Sequence, residues 1–271
     1  MKKVTLLLMI LSIIGCKQNN SEEKIPVEPN NGIGDGAQPP KALSFSENIE
    51  EAHNKTAFMM NEAVSFDINL DFGGSTRLEG TVSMTTNSKK VRIDKADGTS
   101  LIYDGEQLHI SPDTSKTVGA RFDIFTWQYF FAMPFKLTDP GTVWEKQDTK
   151  MLDSIPYETA KLSFKSDIGD SPDDWYIVYK DPETSMLKAA AYIVTFSKDQ
   201  EKAEEDPHAI VYSNYQNTDD IPIATEWSFH NWDNKEGLGE KLGKATISNV
   251  KFFSPDEDFF EASSKSKLVK K

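Results

Sequence analysis

The sequence predicts a mainly β protein of the α+β class, and three observations support this prediction. Apolar residues alternate with polar ones over many short stretches, which is the two-residue period of half-buried strands. Turn sequences separate these stretches. Long helical patterns between them are rare, so consecutive strands are expected to pair as an antiparallel meander. Because a large antiparallel sheet curls and needs one face covered, we expect a strongly curved sheet, or incomplete β-barrel, of about 10–11 strands with one or two helices on its concave face.

The first predicted element is a helix of about four turns over residues 46–60. Ser46 stands where an N-cap residue belongs, ahead of acidic residues in the first turn. The residues that recur at helical spacing after it are Ile49, Ala52, His53, Ala57 and Met60.

The clearest strand covers residues 64–72, where every second residue is apolar: Val64, Phe66, Ile68, Leu70 and Phe72. Gly73-Gly74 then predicts a turn. Val82 and Met84 continue the same alternation in the following strand. Further along, Asp104-Gly105 lies between two apolar runs and predicts a hairpin. Similar strand patterns extend to about residue 253.

Residues 121–137 interrupt the alternation with the densest aromatic cluster in the chain. Its large apolar members are Phe122, Phe125, Trp127, Tyr129, Phe130, Phe131, Met133 and Phe135. A helix from Asp123 to Met133, ended by Pro134, would be apolar nearly all round. Two interpretations stay open: a core helix packed on the sheet, or a lid over an apolar cavity. In the second, inward-facing residues of the first strands would line the cavity, namely Phe66, Ile68, Leu70, Val82 and Met84.

Charge and cysteine content exclude several classes of protein. The 271 residues include 30 Lys and Arg against 43 Asp and Glu, a formal charge of −13. Such a negative chain is a poor candidate for binding nucleic acid, because phosphates need clustered cations. The single cysteine, Cys16, allows neither an internal disulfide nor a cysteine-based zinc site.

The N-terminus has the pattern of an export signal. Lys2 and Lys3 precede an apolar run over residues 4–14, which is too short for the roughly 20 residues of a membrane span. The run ends in Gly15-Cys16, which resembles the lipobox of bacterial lipoproteins, in which the cysteine becomes the lipid-modified first residue. An ordinary secretory signal is the alternative.

Composition divides the chain into four parts. We predict a lipoprotein signal peptide over residues 1–15, and a lipidated Cys16 with a flexible tether over residues 16–42. A single β domain would occupy residues 43–262, followed by a polar C-terminal tail over residues 263–271.

The combination of lipobox, N-terminal helix, long meander and aromatic helical insertion resembles the lipoprotein-carrier superfamily of LolA, LolB and LppX-like proteins. Trp127 to Leu137 with the following Asp139-Pro140-Gly141 also resembles a group of uncharacterised Bacteroidetes envelope lipoproteins. The resemblance implies an unclosed barrel with a helical lid and an apolar cavity for acyl chains. It supplies no catalytic residues.

Motifs for catalysis or metal binding are missing from the sequence. The histidines, His53, His109, His208 and His230, are far apart and form no metal-binding pair, so we expect ordinary surface or edge residues. The acidic stretch with Asp167, Asp170, Asp173 and Asp174 lacks EF-hand spacing and is expected to be a solvated loop. With no GxSxG or phosphate-loop motif either, we predict no metal, no cofactor and no enzymatic activity. The alternative is an unrecognised hydrolase, because catalytic carboxylate pairs are set by geometry and have no characteristic spacing in the sequence.

The sequence therefore predicts a lipid-anchored protein of the cell envelope, at the outer membrane and facing either the periplasm or the cell surface. Its partners would be the membrane, through the anchor, and a lipid or acyl ligand held in an apolar cavity. The alternative is an envelope scaffold or interaction module with a solid core and no small-molecule ligand. No protein partner is identified by the sequence.

Overall fold

The computed structural model describes residues 42–166, 168–196 and 198–270. The described residues from Leu43 onward belong to one compact unit. The predicted signal peptide, Cys16 and nearly all of the tether lie outside the described residues. Among those residues, no helix has the length and apolar character needed to cross a membrane.

The described residues form four helices and fourteen strands. The helices are α1 (Phe45–Ala52), α2 (Lys55–Met60), α3 (Ala120–Ala132) and α4 (Gln200–Glu204), and a 3₁₀ turn (Met133–Phe135) follows α3. The strands are β1 (Ala63–Phe72), β2 (Ser75–Thr85), β3 (Val91–Lys95), β4 (Ser100–Tyr103), β5 (Leu108–Ser111), β6 (Thr142–Lys146), β7 (Lys150–Leu152), β8 (Ile155–Phe164), β9 (Tyr176–Lys180), β10 (Leu187–Tyr192), β11 (His208–Thr218), β12 (Ile221–Asp233), β13 (Gly237–Phe253) and β14 (Lys267–Leu268).

The strands make one antiparallel sheet in the order β14-β5-β4-β3-β2-β1-β13-β12-β11-β10-β9-β8-β6, with β7 paired to β8 beside this path. Within the described part of the chain, β14 and β6 end the sheet without pairing to each other, so the sheet is not closed. This confirms the predicted fold class. The sheet has fourteen strands where about 10–11 were expected, and two of the additional strands are β7 and β14, which with three and two residues are too short to show a period.

A single helix demonstrates how strongly the sheet curves. Phe125 of α3 contacts Tyr103 of β4, with 5.0 Å between ring centroids, and Tyr129, one turn later, contacts Tyr176 of β9 at 5.6 Å. The path from β4 to β9 crosses eight strand-to-strand steps, about 38 Å along a flat sheet at about 4.8 Å per step. One helical turn rises only about 5.4 Å. The sheet therefore wraps around α3, which lies on the concave face.

The helix predicted over residues 46–60 is in fact two helices. Asn54 lies between α1 and α2 with a φ of 55°, in the left-handed region, where a continuous right-handed helix cannot pass. The apolar side chain buried by α2 is Phe58, whereas Met60, predicted on the apolar face, is exposed. The break changes the orientation of α2 relative to α1, so the predicted row of apolar residues does not continue from one helix to the next.

The N-cap of α1 is Ser44 rather than Ser46. The Glu47 backbone N–H donates to Ser44 Oγ at 3.2 Å, and the Ser44 N–H donates to Glu47 Oε2 at 2.7 Å, which completes a capping box. Ser46 has Ile49 three residues later and lacks the acceptor that such a box requires.

The chain end beyond residue 262 belongs to the sheet, in contrast to the expected polar tail. β14 pairs with β5, and Val269 is buried with its N–H donating to the Leu108 carbonyl at 2.8 Å. A two-residue strand carries no periodic signal, so composition alone gave the wrong boundary.

A smaller second core covers the opposite face of the sheet near β9 and β10. On β9, Tyr176 and Val178 belong to the main core, whereas Ile177 and Tyr179 belong to the second. Trp232 joins that second core, and its Nε1 donates to the Tyr179 hydroxyl at 2.9 Å. Burial on both faces explains why the sequence of this strand is continuously apolar.

Candidate functional site

The helix α3 fills the centre of the concave face. Phe131 stacks on Phe66 of β1 with 4.0 Å between ring centroids, and the Phe130 ring lies 5.0 Å from that of Tyr192 on β10. The helix starts after Gly119, whose φ of 77° suits glycine. These contacts explain the apolar character of the helix on the side that faces the sheet.

A buried carboxylate fixes the start of α3 to the sheet. Asp123 is 2% exposed. It accepts hydrogen bonds from Arg77 Nη2 of β2 at 2.5 Å, from Lys95 Nζ of β3 at 2.7 Å and from Trp127 Nε1 at 3.1 Å. Arg77 and Lys95 lie 46 and 28 positions from Asp123 along the chain, so no local pattern in the sequence indicated the cluster.

A cleft of about 1310 Å³ lies along the outer face of α3. It is bounded by the helix and by two arms of the curved sheet, one formed by β4 and β5 and the other by β8, β9 and β10. The face of α3 that lines it has the helical spacing i, i+3, i+4 and i+7, with Phe122, Phe125, Thr126 and Tyr129 all half-buried. The sheet side of the lining includes Tyr103, Leu108, Phe164, Tyr176, Tyr192 and Val269. Charged residues of both signs lie at its edge, among them Lys89, Lys90, Lys136, Asp104 and Asp139.

Of the thirteen apolar residues predicted for a cavity or lid, four line this cleft: Phe122, Phe125, Tyr129 and Phe130. The other nine belong to the packed main core and do not line it: Trp127, Phe131, Met133, Phe135, Phe66, Ile68, Leu70, Val82 and Met84. β1 and β2 lie at the middle of the sheet, where α3 itself covers their inward side chains. The helix is thus a core helix on one face and a cleft wall on the other.

Three tyrosines give the cleft polar groups among its apolar walls. Tyr129, Tyr176 and Tyr192 all line it, and their rings form a chain with 5.6 Å and 6.2 Å between successive centroids. Burial raises the pKa of each of these tyrosines above its ordinary value. The phenols therefore stay protonated and able to donate hydrogen bonds at any physiological pH.

The acidic loop between β8 and β9 has specific contacts in addition to its solvated residues. Asp170 forms a short ion pair with Arg121 of α3, and both residues line the cleft. Asp174 accepts from the Thr195 backbone N–H at 2.8 Å and from Thr195 Oγ1 at 2.7 Å, while burial raises the pKa of its carboxyl. These contacts hold the loop in place, and Asp170 and Asp174 both line the cleft. Asp167 is outside the described residues.

His53 departs from the expectation of a surface or edge histidine, since it is fully buried. Its Nε2 accepts from the Leu187 N–H at 3.0 Å, and its Nδ1 lies 3.4 Å from the Pro222 carbonyl. The signal that pointed to this burial was its place on the apolar face of the predicted helix. In the described part of the chain, no group of three or more His, Cys, Asp or Glu residues is arranged to hold a metal ion.

Comparison with known families gives a direct assignment. The family described as "Family of unknown function (DUF6503)" matches residues 60–244, well over half of the chain. The chain belongs to this family. The matched region of this DUF6503 protein runs from the end of α2 into β13 and so includes α3 and most of the cleft. No curated protein matches the chain significantly.

Solved structures add information on the fold. A LolA superfamily protein from Nitrosomonas europaea is similar with a TM-score of 0.54 at 12% identity, covering 82% of this chain and 99% of that one. A domain described as an outer membrane lipoprotein-sorting protein from Vibrio parahaemolyticus has a TM-score of 0.48 at 9% identity, with 80% and 97% coverage. A DUF1329 family protein from Desulfovibrio piger has a TM-score of 0.45 at 13% identity, with 79% and 97% coverage. The similarity to the Nitrosomonas europaea protein shows that this DUF6503 protein has a LolA-like fold, as the sequence predicted.

Proposed function

We propose that this DUF6503 protein binds a hydrophobic ligand, a lipid or acyl chain, in the cleft along α3, and acts as a carrier or chaperone of the cell envelope. The observation that carries the proposal is the outer face of α3. Phe122, Phe125 and Tyr129 are aromatic residues of one helix face, yet they are only half-buried and line a cleft. Apolar surface of this kind gains about 25 cal/mol for each Å² that a ligand removes from water.

The size of the cleft supports the same function. Its volume of about 1310 Å³ exceeds the roughly 300–1,000 Å³ of most small-molecule sites, so an extended or branched ligand can be accommodated. The sheet is not closed, so the cleft is open to chains of different length. Binding of this kind is passive burial and needs no covalent chemistry from the protein. The LolA-like fold agrees with a carrier role.

Filling the cleft tests the proposal. We expect Thr126→Trp to lower the amount of co-purifying lipid by about tenfold or more, because the indole occupies space between Phe122 and Tyr129 and a loss of about 1.4 kcal/mol already corresponds to tenfold. Lipid is measured by organic extraction and mass spectrometry of the full chain purified from a bacterial envelope. The matched control is Thr114→Trp, in an exposed loop, which is expected to keep its lipid.

Two outcomes would contradict lipid binding in this cleft. Equal lipid content in wild type and Thr126→Trp would place the lipid elsewhere. Wild-type protein that extracts without lipid and binds no acyl probe would favour the alternative of an envelope scaffold with a solid core.

We further propose that the protein is anchored in the envelope through a lipid on Cys16. In that case Cys16→Ser is expected to move the protein from the membrane fraction to the soluble fraction, because a serine hydroxyl cannot form the thioether that carries the lipid. Fractionation by ultracentrifugation measures the effect, with Ser21→Ala as the control. Membrane association of Cys16→Ser equal to wild type would rule the anchor out.

A further inference from the structure

Gln128 is the most unusual polar residue of the cleft. It lies on α3, is 6% exposed, and lines the cleft. Its Nε2 donates to the Phe125 carbonyl at 3.1 Å, which fixes the orientation of the amide. The opposite atom, Oε1, is buried and accepts no hydrogen bond from any described residue.

An unpaired buried carbonyl oxygen is costly in a folded protein, by about 1–3 kcal/mol. Turning the amide over would not remove the problem, because Oε1 would then face the Phe125 carbonyl and Nε2 would lose its acceptor. Ser88 Oγ, in the turn between β2 and β3, is a second buried polar atom without a partner among the described residues, and Ser88 lines the same cleft. Both atoms therefore lie where a ligand would supply the missing hydrogen bonds.

The tyrosines of the cleft provide hydrogen-bond donors, which complement the acceptor of Gln128. The hydroxyl groups of Tyr129, Tyr176 and Tyr192 make no hydrogen bond with the described residues, and each can donate to a carbonyl oxygen. The cleft thus combines apolar walls, phenolic donors and one fixed acceptor. A pure hydrocarbon would leave all of these groups unpaired.

We propose that the ligand is an acyl lipid with a hydrogen-bond donor close to its chain, an amide N–H or a hydroxyl, and that Gln128 selects it by accepting that hydrogen through Oε1. This inference rests on the proposed lipid binding and adds a specificity residue to it. A lipid with the same chain but no donor leaves Oε1 unpaired and binds more weakly. Recognition of a polar atom by a built acceptor discriminates far better than one methylene in an apolar pocket does.

The test uses pairs of ligands in which a methyl group replaces the donor hydrogen of one member. N-methylhexadecanamide carries an N–H and N,N-dimethylhexadecanamide does not, while hexadecan-1-ol and 1-methoxyhexadecane form the hydroxyl pair. Each competes with a fluorescent fatty-acid probe on the delipidated full chain. We expect wild type to prefer the donor of at least one pair by about tenfold, and the two pairs distinguish an amide from a hydroxyl ligand.

Variants at position 128 assign the preference to the residue. Gln128→Leu and Gln128→Met are expected to bind both members of a pair equally, with unchanged or tighter affinity for the member that has no donor. That retained affinity shows that the variants are folded. The matched control is Gln216→Leu, on an exposed position of β11, which should keep the wild-type preference.

The outcomes separate this inference from the function on which it rests. Equal binding of both members by wild type, or a preference that persists in Gln128→Leu, would overturn the role of Gln128 while leaving lipid binding intact. Failure of every ligand to displace the probe at the cleft would count against lipid binding itself.

Discussion

Asp123→Ala is expected to lower the free energy of unfolding by about 3 kcal/mol. Removing one partner of a buried ion pair typically costs about 3–5 kcal/mol, because the remaining charge stays desolvated. Here the side chains of Arg77 and Lys95 are 37% and 21% exposed and regain some water, which places the loss at the lower end of that range. Trp127 Nε1 also loses its acceptor. Urea denaturation measures the loss as a lower midpoint with an unchanged slope.

Two further variants sharpen this prediction. Asp123→Asn keeps an oxygen for the Trp127 indole and is expected to lose less than Asp123→Ala. Asp206→Ala, in which the aspartate is 57% exposed and 3.7 Å from Lys198, should stay within about 0.5 kcal/mol of wild type. An Asp123→Ala variant as stable as Asp206→Ala would mean that the cluster does not hold α3 to the sheet.

The elements with a regular period could be predicted from the sequence because burial on one face imposes that period. Alternation over residues 64–72 identified β1 with its buried face, since Val64, Phe66, Ile68 and Leu70 are all buried. The Asp104-Gly105 turn likewise joins β4 and β5 as expected, with Tyr103 paired to Leu108. Both features depend on residues that are neighbours in the chain.

The orientation of α3 could not be predicted in the same way. A helix that is apolar nearly all round has no period to indicate which face is covered, and the cleft face became visible only from contacts with β4 on one arm and β9 on the other. The Asp123 cluster and the unpaired oxygen of Gln128 could not be predicted from the sequence either. They are consequences of long-range sheet pairing, which a single sequence does not reveal.

Acidification is expected to destabilise the protein through His53, by about 3 kcal/mol between pH 7 and pH 4. Burial lowers the pKa of His53 from 6.5 to about 4. In the unfolded chain the ordinary pKa applies, so between these two values the unfolded state binds the additional proton. Stability is therefore fully present above about pH 6.5 and is lost progressively as the pH falls toward 4, at about 1.4 kcal/mol for each unit of pKa difference.

Besides burial, the hydrogen bond from Leu187 gives a structural reason for this pH dependence, whereas the Pro222 carbonyl acts in the opposite direction and raises the pKa of His53. Nε2 accepts from the Leu187 N–H at 3.0 Å, so the neutral ring carries its proton on Nδ1, which lies toward the Pro222 carbonyl. A second proton on Nε2 would face the Leu187 N–H, donor against donor. Protonation is thus opposed by geometry as well as by burial, at a position where α1, β10 and β12 meet.

His53→Gln isolates the contribution of the histidine, because glutamine offers an acceptor but does not titrate in this range. Between pH 7 and pH 4, the free energy of unfolding of the variant is expected to fall by about 3 kcal/mol less than that of wild type, as measured by urea denaturation. Comparing the two proteins removes the effect of His208, whose pKa is also lowered by burial and which both chains retain. The matched control is His109→Gln, at a half-exposed position, which should follow wild type. Parallel pH profiles for wild type and His53→Gln would show that His53 titrates alike in the folded and unfolded states, and that its burial does not link folding to pH.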